Sequence, residues 1–219
     1  MQFEISQENQ TSSIDLVFLW YILSMKFPIG IDEVGRGPIA GPVTVCAFTF
    51  YKKVSFPKTL PRLKDSKKLS AQQRELWFAQ IKTWQKEGFA DFKVSSVSAV
   101  VIDKIGIVPA IQKALNFSLH ALSPKTQNMI LLDGGLKAPV EYKKQKTIIK
   151  GDEKEQVISL ASIVAKVTRD RYMQKMAKKY PEYGFETNVG YGTKKHYDAI
   201  AIQGVTPLHR RSFLKNVVK

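Results

Sequence analysis

Two short β-rich runs, residues 27–34 (FPIGIDEV) and 43–50 (VTVCAFTF), stand on either side of a segment dense in glycine and proline, GRGPIAGP. Such a segment extends neither a helix nor a ladder, so the chain turns back there and the two runs are expected to pair as antiparallel strands across a tight loop. Everything downstream has to be compatible with that hairpin. Ser70 lies three residues before Gln73, a capping-box arrangement, and Leu76, Trp77, Ile81 and Trp84 then recur at helical spacing until Gly88 ends the run. Residues 89–94 read as a further strand, and 108–122 as a helix with Ile111, Leu115, Phe117 or Ser118, and Leu122 on or near one face. Short strands are expected at 128–132 (NMILL) and 147–149, then a long helix at 156–179 that Pro181 stops. The tail from Thr193 reads as two short helices split by Gly204 and Pro207. This order predicts an α/β domain: a mixed sheet flanked by helices, with a C-terminal helical extension.

At 219 residues the chain suits one domain of the usual ~100 to 200 residues. We expect that domain to occupy residues 27–219 and residues 1–26 to be an extension, either a disordered polar arm with one apolar patch or a helix that docks through LVFLWYILSM at 16–25. A natural start at Met25 is a further reading. The apolar run falls short of the ~20 residues that cross a bilayer. Glu4, Glu8 and Asp15 precede it where a signal peptide would carry basic residues, so neither a membrane span nor secretion is expected. The lone Cys46 cannot form an internal disulfide and suits a reducing cytoplasm. Lys and Arg number 34 against 19 Asp and Glu, a net charge of +15, which favours a polyanionic partner, nucleic acid before an anionic membrane.

Against that positive background, acids recur at the ends of apolar strands. Asp32 and Glu33 sit late in the first run, Asp133 follows MILL and precedes Gly134 and Gly135, and Asp152 follows Ile148, Ile149, Lys150 and Gly151. Each alone has an ordinary structural role open to it: Asp133 as a turn residue, Asp152 as the cap of the helix near Gln156, one of the DE pair as a turn cap. Together they suggest a centre where carboxylates repel unless a hard cation such as Mg²⁺ or Mn²⁺ intervenes. A basic protein with an acidic centre points to phosphodiester hydrolysis, in which two metal ions activate water and stabilise the leaving oxygen. Neither a P-loop nor a G-x-S-x-G elbow is present.

Six blocks then carry a resemblance: IGIDEVGRGPIAGPV at 29–43, KDSKKLS at 64–70, LLDGG at 131–135, KGD at 150–152, ISLASIVAKVTRDRYM at 158–173 and GYGTKKH at 190–196. In residues, order and spacing, from about Phe27 to Phe213, they resemble bacterial ribonuclease HII. The resemblance implies the ribonuclease H fold, a five-stranded mixed sheet in which the first strand lies beside the fourth. It also implies an endonuclease that uses Mg²⁺ or Mn²⁺, two ions during catalysis, on the RNA strand of RNA/DNA hybrids. Such an enzyme also cuts 5′ of single ribonucleotides in duplex DNA, leaving a 3′-hydroxyl and a 5′-phosphate, a role in ribonucleotide excision repair; a cytoplasmic monomer is expected. Carried over by position, Asp32, Glu33, Asp133 and Asp152 match the metal-binding catalytic carboxylates. Gly35, Arg36, Gly37 and Tyr191 match the elements that read the ribose 2′-hydroxyl and its junction with DNA, and Lys67 matches a substrate-binding position. Asn188 stands where the family commonly has His, two positions before Gly-Tyr-Gly.

Other readings of the same residues are a type I ribonuclease H, an integrase-like recombinase, a junction resolvase or a non-catalytic nucleic-acid-binding module. Arg169 and Asp170 read as a structural pair on the long helix, with Asp170 a fifth acid of interest, and Lys194, Lys195, Arg210 and Arg211 as solvated charges.

Overall fold

A computed structural model describes residues 27–63, 68–124 and 128–214. The order of elements is β1 (Ile29–Val34), β2 (Val43–Phe50), α1 (Ala71–Lys86), β3 (Ala90–Val97), α2 (Ala99–Ile105), α3 (Ile107–Leu122), β4 (Ile130–Asp133), β5 (Gln145–Ile148), α4 (Gly151–Lys154), α5 (Gln156–Lys179), α6 (Phe185–Asn188) and α7 (Lys194–Gln203). The sheet runs β3-β2-β1-β4-β5. β1 pairs antiparallel with β2 and parallel with β4, so the mixed sheet and the placement of the first strand beside the fourth are both as expected.

Alternation along the strands builds two cores. Ile29 and Ile31 of β1, Val43, Val45 and Ala47 of β2, and Ile130 and Leu132 of β4 face α3, where Ile111, Leu115, Leu119 and Leu122 close the layer. Cys46, Phe48, Phe50 and Leu131 point the other way, onto Trp77, Ile81 and Trp84 of α1 and the first turns of α5. Full burial of each large aliphatic side chain contributes about 1.5–3 kcal/mol, which fixes the strand register against a one-residue slip. Helix α5 is buried on all sides from Val157 to Ala165, because it lies directly on the sheet. Gly30 permits this: a Cβ there would stand 2.2 Å from the Val157 carbonyl carbon. The same alternation that turns Gly30 toward α5 turns Asp32 toward it.

Ser70 caps α1, with the reciprocal Gln73 bond completing the capping box. Helix α3 buries Ser118 and leaves Phe117 exposed, which decides between the two residues the periodicity left open. The 35–42 loop joins β1 and β2 as an antiparallel pair, as expected. Two local expectations need correction. Helix α2, unseen in the sequence, precedes α3, the two being divided at Gly106, whose φ of 85° suits glycine. The tail forms one helix, α7, capped by Thr193, and then a single 3₁₀ turn at Arg211–Phe213 in place of a second helix. A third apolar cluster, with Ile39, Ala40, Met173, Tyr183, Phe185 and Ile200, packs this tail on the 35–42 loop and the far end of α5. Among the described residues no helix is long and apolar enough to cross a membrane. The 16–25 segment lies outside those residues.

Candidate active site

The parallel pairing of Ile31 with Leu132 places the next residues on each strand, Asp32 and Asp133, side by side at the strand ends. Asp32, Glu33 and Asp133 line one cleft of about 380 Å³, together with the Gly35-Arg36-Gly37 turn, Tyr191, Arg74, Ser162 and Lys166. Asp32 is only 3% exposed. Burial pushes its carboxyl well above the usual range, a bond to the Ser162 side chain opposes this, and repulsion from Glu33 and Asp133 adds to the rise. Its Oδ1 also accepts the Glu33 amide at 2.7 Å. Glu33 lies 3.7 Å from the Arg36 guanidinium.

Asp152 is held differently. It lies in the short helix α4, fully buried, and is not among the residues that line the cleft. Its neighbour Gly151 ties the two parts together, donating its amide to Asp133 Oδ1 at 2.6 Å. Gly151 is itself under tight packing, with a hypothetical Cβ 2.7 Å from Ile158. Asp152 is also not the cap of the long helix, since Glu155 occupies that position; the Ser159 hydroxyl donates to the Asp152 carbonyl across the break between the two helices.

The donor set suits a hard cation. Three carboxylates face one cleft and one of them is destabilised in its charged form by burial and by its neighbours, which a divalent ion would relieve. Among the described residues, no three His, Cys, Asp or Glu side chains surround a single point as ligands. Mg²⁺ is commonly bound through one or two carboxylates, sharing the ion with water and phosphate oxygens.

Sequence reasoning missed three polar cleft residues, Arg74 of α1 and Ser162 and Lys166 of α5. Ser162 and Lys166 are one turn apart, and Asp170, which does not line the cleft, is a further turn along. Lys166 binds Asp170 at 2.7 Å, and Arg74 of α1 lies 3.7 Å from the same carboxylate. Asp170 is thus the anchor of two cations at the cleft edge, and the expected pairing with Arg169 is replaced by these contacts. The signal for Ser162 and Lys166 was their i, i+4 spacing on a helix otherwise buried over that stretch.

Arg169 and Arg210 differ most from expectation. Neither is a solvated charge or half of a simple ion pair: they are 1% and 0% exposed. Arg169 donates to the carbonyls of Pro42 (2.9 Å), Val189 (2.9 Å) and Ala40 (3.1 Å). Arg210 donates to those of Gly41 (3.0 Å), Arg36 (3.0 Å) and Gly35 (2.6 Å). Burial, then repulsion by Arg169, lowers the Arg210 pKa to about 10, which leaves it charged at neutral pH.

Tyr191 is 47% exposed, on a turn secured from several sides. Asn188 donates to the Tyr183 carbonyl at 2.7 Å and accepts the Gly190 amide at 2.8 Å, so the departure at this position still supports the turn. Two buried histidines continue the support. The Thr206 amide donates to His209 Nδ1 at 2.9 Å, so neutral His209 carries its proton on Nε2. That proton goes to His196 Nε2 at 3.0 Å, and His196 Nδ1 donates to the Tyr191 carbonyl at 2.8 Å. Lys67 lies outside the described residues.

A hollow of about 420 Å³ between the 56–63 loop and the start of α5 is slightly larger than the acid cleft, but none of the strand-end acids lines it.

The family profile of ribonuclease HII matches residues 29–216. The chain is 45% identical over 225 residues to ribonuclease HII of Bacillus anthracis, covering 100% of this chain and 82% of that protein. To ribonuclease HII of Shouchella clausii it is 44% identical over 184 residues, 84% of this chain and 67% of that one. Among solved structures, ribonuclease H2 from Pyrococcus horikoshii OT3 superimposes with a TM-score of 0.66 at 26% identity, covering 87% of this chain and 96% of that chain. Ribonuclease HII of Archaeoglobus fulgidus, solved in complex with PCNA, also gives 0.66, at 24% identity over 84% of this chain and 93% of that chain. With its strand-end acids gathered in one cleft and a family match across nearly all of the described fold, this chain belongs to the ribonuclease HII family, endoribonucleases of the ribonuclease H type.

Proposed function

We propose that this enzyme cuts 5′ of a single ribonucleotide embedded in duplex DNA, as well as within RNA/DNA hybrids, leaving a 3′-hydroxyl and a 5′-phosphate, and that it serves ribonucleotide removal from DNA in the cytoplasm. Divalent metal, Mg²⁺ or Mn²⁺ and two ions at turnover, would be held by Asp32, Glu33, Asp133 and Asp152. When bound it supplies charge neutralisation and an activated water.

The protein's own residues set where the strand lies. Arg74 of α1 and Lys166 of α5 give the cleft positive charge for the phosphate backbone. Lys67 belongs to the same reading as a further backbone contact. Gly35 to Gly37 and Tyr191, which line the same cleft, form the part that meets the sugar. A single 2′-hydroxyl distinguishes a ribonucleotide from its DNA neighbours, so recognition has to concentrate on one sugar.

Gly37 is the observation that carries this reading. Gly35 and Gly41 have φ of 88° and 85° and close contacts that forbid a side chain, so the fold explains them. Gly37 has neither constraint: a Cβ there would meet only the Tyr191 ring, at 3.9 Å. The fold leaves room for a side chain that is absent, at a point beside the aromatic ring on the wall of the acid cleft. Close approach of a substrate sugar to the backbone accounts for it.

The test compares three labelled duplexes: one ribonucleotide in DNA, all DNA, and a long hybrid, each with Mg²⁺ or Mn²⁺. Incision 5′ of the lone ribonucleotide, with the all-DNA duplex intact, is expected. Cleavage of the long hybrid alone would favour a type I activity and overturn the proposal.

A further inference from the structure

The two buried arginines that hold the 35–42 loop lie apart from the acids, and the six hydrogen bonds they donate all go to backbone carbonyls. Asp103, the acid nearest in influence to Arg210, instead accepts the amides of Arg211 at 2.9 Å and Ser212 at 3.0 Å. Burying two cations close together is costly, and an apolar filler would be the cheaper way to pack a loop. The geometry of the bonds suggests what the arginines are for.

In a trans peptide the carbonyl of one residue and the amide of the next point in opposite directions. The chain has no cis peptide among the described residues. Arg210 Nη2 holds the Gly35 carbonyl, and Nη1 holds the Arg36 carbonyl, both toward the buried guanidinium. The amides on the other ends of those two planes, Arg36 N–H and Gly37 N–H, are therefore turned away from the interior. Arg36 and Gly37 line the acid cleft. Arg169 fixes the remainder of the loop through Ala40 and Pro42, and through Val189 it fixes the strand of chain leading to Tyr191. Gly35 completes the fit, since a Cβ there would stand 2.3 Å from Arg169 Nε.

We propose that Arg210 is a specificity-determining positioning residue, which draws two successive carbonyls inward and so presents the amides of Arg36 and Gly37 as paired donors to an oxygen acceptor on the substrate. Resting on the reading above, that acceptor is the 2′-oxygen of the ribose at the cut. Consecutive amides turned to one side make a concave donor site, and a donor pair fixed before substrate arrives loses nothing to reorganisation. Lysine cannot replace arginine here, because one ammonium cannot span carbonyls that a planar fork reaches in fixed directions.

The test uses Arg210→Lys in the full chain, checked for folding by circular dichroism and thermal melting, with affinity for an all-DNA duplex measured beside kcat and KM on the single-ribonucleotide duplex. We expect unchanged all-DNA affinity and a fall in kcat of roughly 100-fold, the scale of an ångström's misplacement of a reacting group. A folded Arg210→Lys enzyme with wild-type kcat and selectivity would overturn the proposal while leaving the wild-type specificity intact. Wild type that ignores the single ribonucleotide would overturn the underlying reading, and this proposal with it. Should Arg210→Lys fail to fold, replacing the Gly37 amide N–H by an ester oxygen removes one donor directly. Full activity of that ester enzyme would count against the donor pair, and selective loss on the ribonucleotide duplex would support it.

Discussion

Asp133 and the two glycines of the turn can each be tested by a single atom or methyl group. Asp133→Asn keeps the shape and the acceptor for the Gly151 amide but removes a negative charge beside Asp32. Metal-dependent cleavage should fall by at least roughly 100-fold, with the metal-free melting temperature equal to or above that of wild type because repulsion is relieved. Added Mg²⁺ should raise the melting temperature of wild type and leave the variant unmoved, since only a ligand bound to the folded state stabilises it. Retained cleavage in a folded variant would contradict the metal assignment. Gly35→Ala and Gly37→Ala should separate folding from recognition. The first meets a φ of 88° and a guanidinium nitrogen 2.3 Å away, a cost of about 2 kcal/mol or more. The second has open space before the Tyr191 ring and should melt like wild type while losing cleavage at a lone ribonucleotide. Equal melting temperatures for the two alanine variants would show that the distinction between these glycines is unsound.

Elements were readable where local signals and burial agree. The capping box at Ser70 and the bounds of α5 at Gln156 and Lys179 follow from the chain alone, because each is decided by side chains within a few residues of one another. Helix α2 was hidden because Ala99–Ile105 is a single β-branched-rich stretch whose helical state depends on packing beside α3. Arg169 and Arg210 were hidden for a related reason: five of their six partners are carbonyls more than a hundred residues away, and a carbonyl has no sequence signature. The acids were legible as a set because charge at the end of an apolar strand is rare, yet spacing did not reveal that Asp152 would sit behind the cleft in its own turn of helix. The tail joins α7 to the body through the two histidines, and that contact predicts a pH response. Burial lowers both from the ordinary value of 6.5, His209 to about 4 with repulsion from His196 contributing. Between those values the unfolded chain binds protons that the folded protein refuses, so stability falls as pH drops from about 6.5 toward 4 and levels off below it. The Asp32 carboxyl, raised by burial, titrates with the opposite sign. Melting temperatures of wild type and His209→Gln across pH 7.5 to 4.5, a range of roughly the ordinary histidine titration, isolate the pair: the variant should show the smaller loss on acidification. Parallel profiles would contradict the neutral relay.

At the scale of the whole molecule, an excess of positive charge surrounds a cleft whose centre is acidic, and the two charges act on different parts of the reaction. The net charge of +15 attracts any duplex by releasing counterions from phosphates, and that attraction is indifferent to one hydroxyl. The turn at Gly35 to Gly37 and the Tyr191 ring act over contact distance, through neutral groups at one sugar, and release few ions. Affinity and selectivity should therefore separate with salt. As salt rises from about 50 to 200 mM, binding should weaken on the order of a thousandfold for a protein with some six phosphate contacts, with log K falling linearly in log salt. The ratio of kcat/KM on a single-ribonucleotide duplex to the association constant for an all-DNA duplex should stay within about twofold over the same range, because both quantities lose the same electrostatic contribution. Neutralising Lys166 by Lys166→Met should reduce the salt slope by about one and leave that ratio unchanged, whereas Tyr191→Ala should leave the slope and lower the ratio. A ratio that collapses in step with affinity would mean that discrimination is itself electrostatic, and the division of labour between the basic surface and the ribose-facing turn would have to be abandoned.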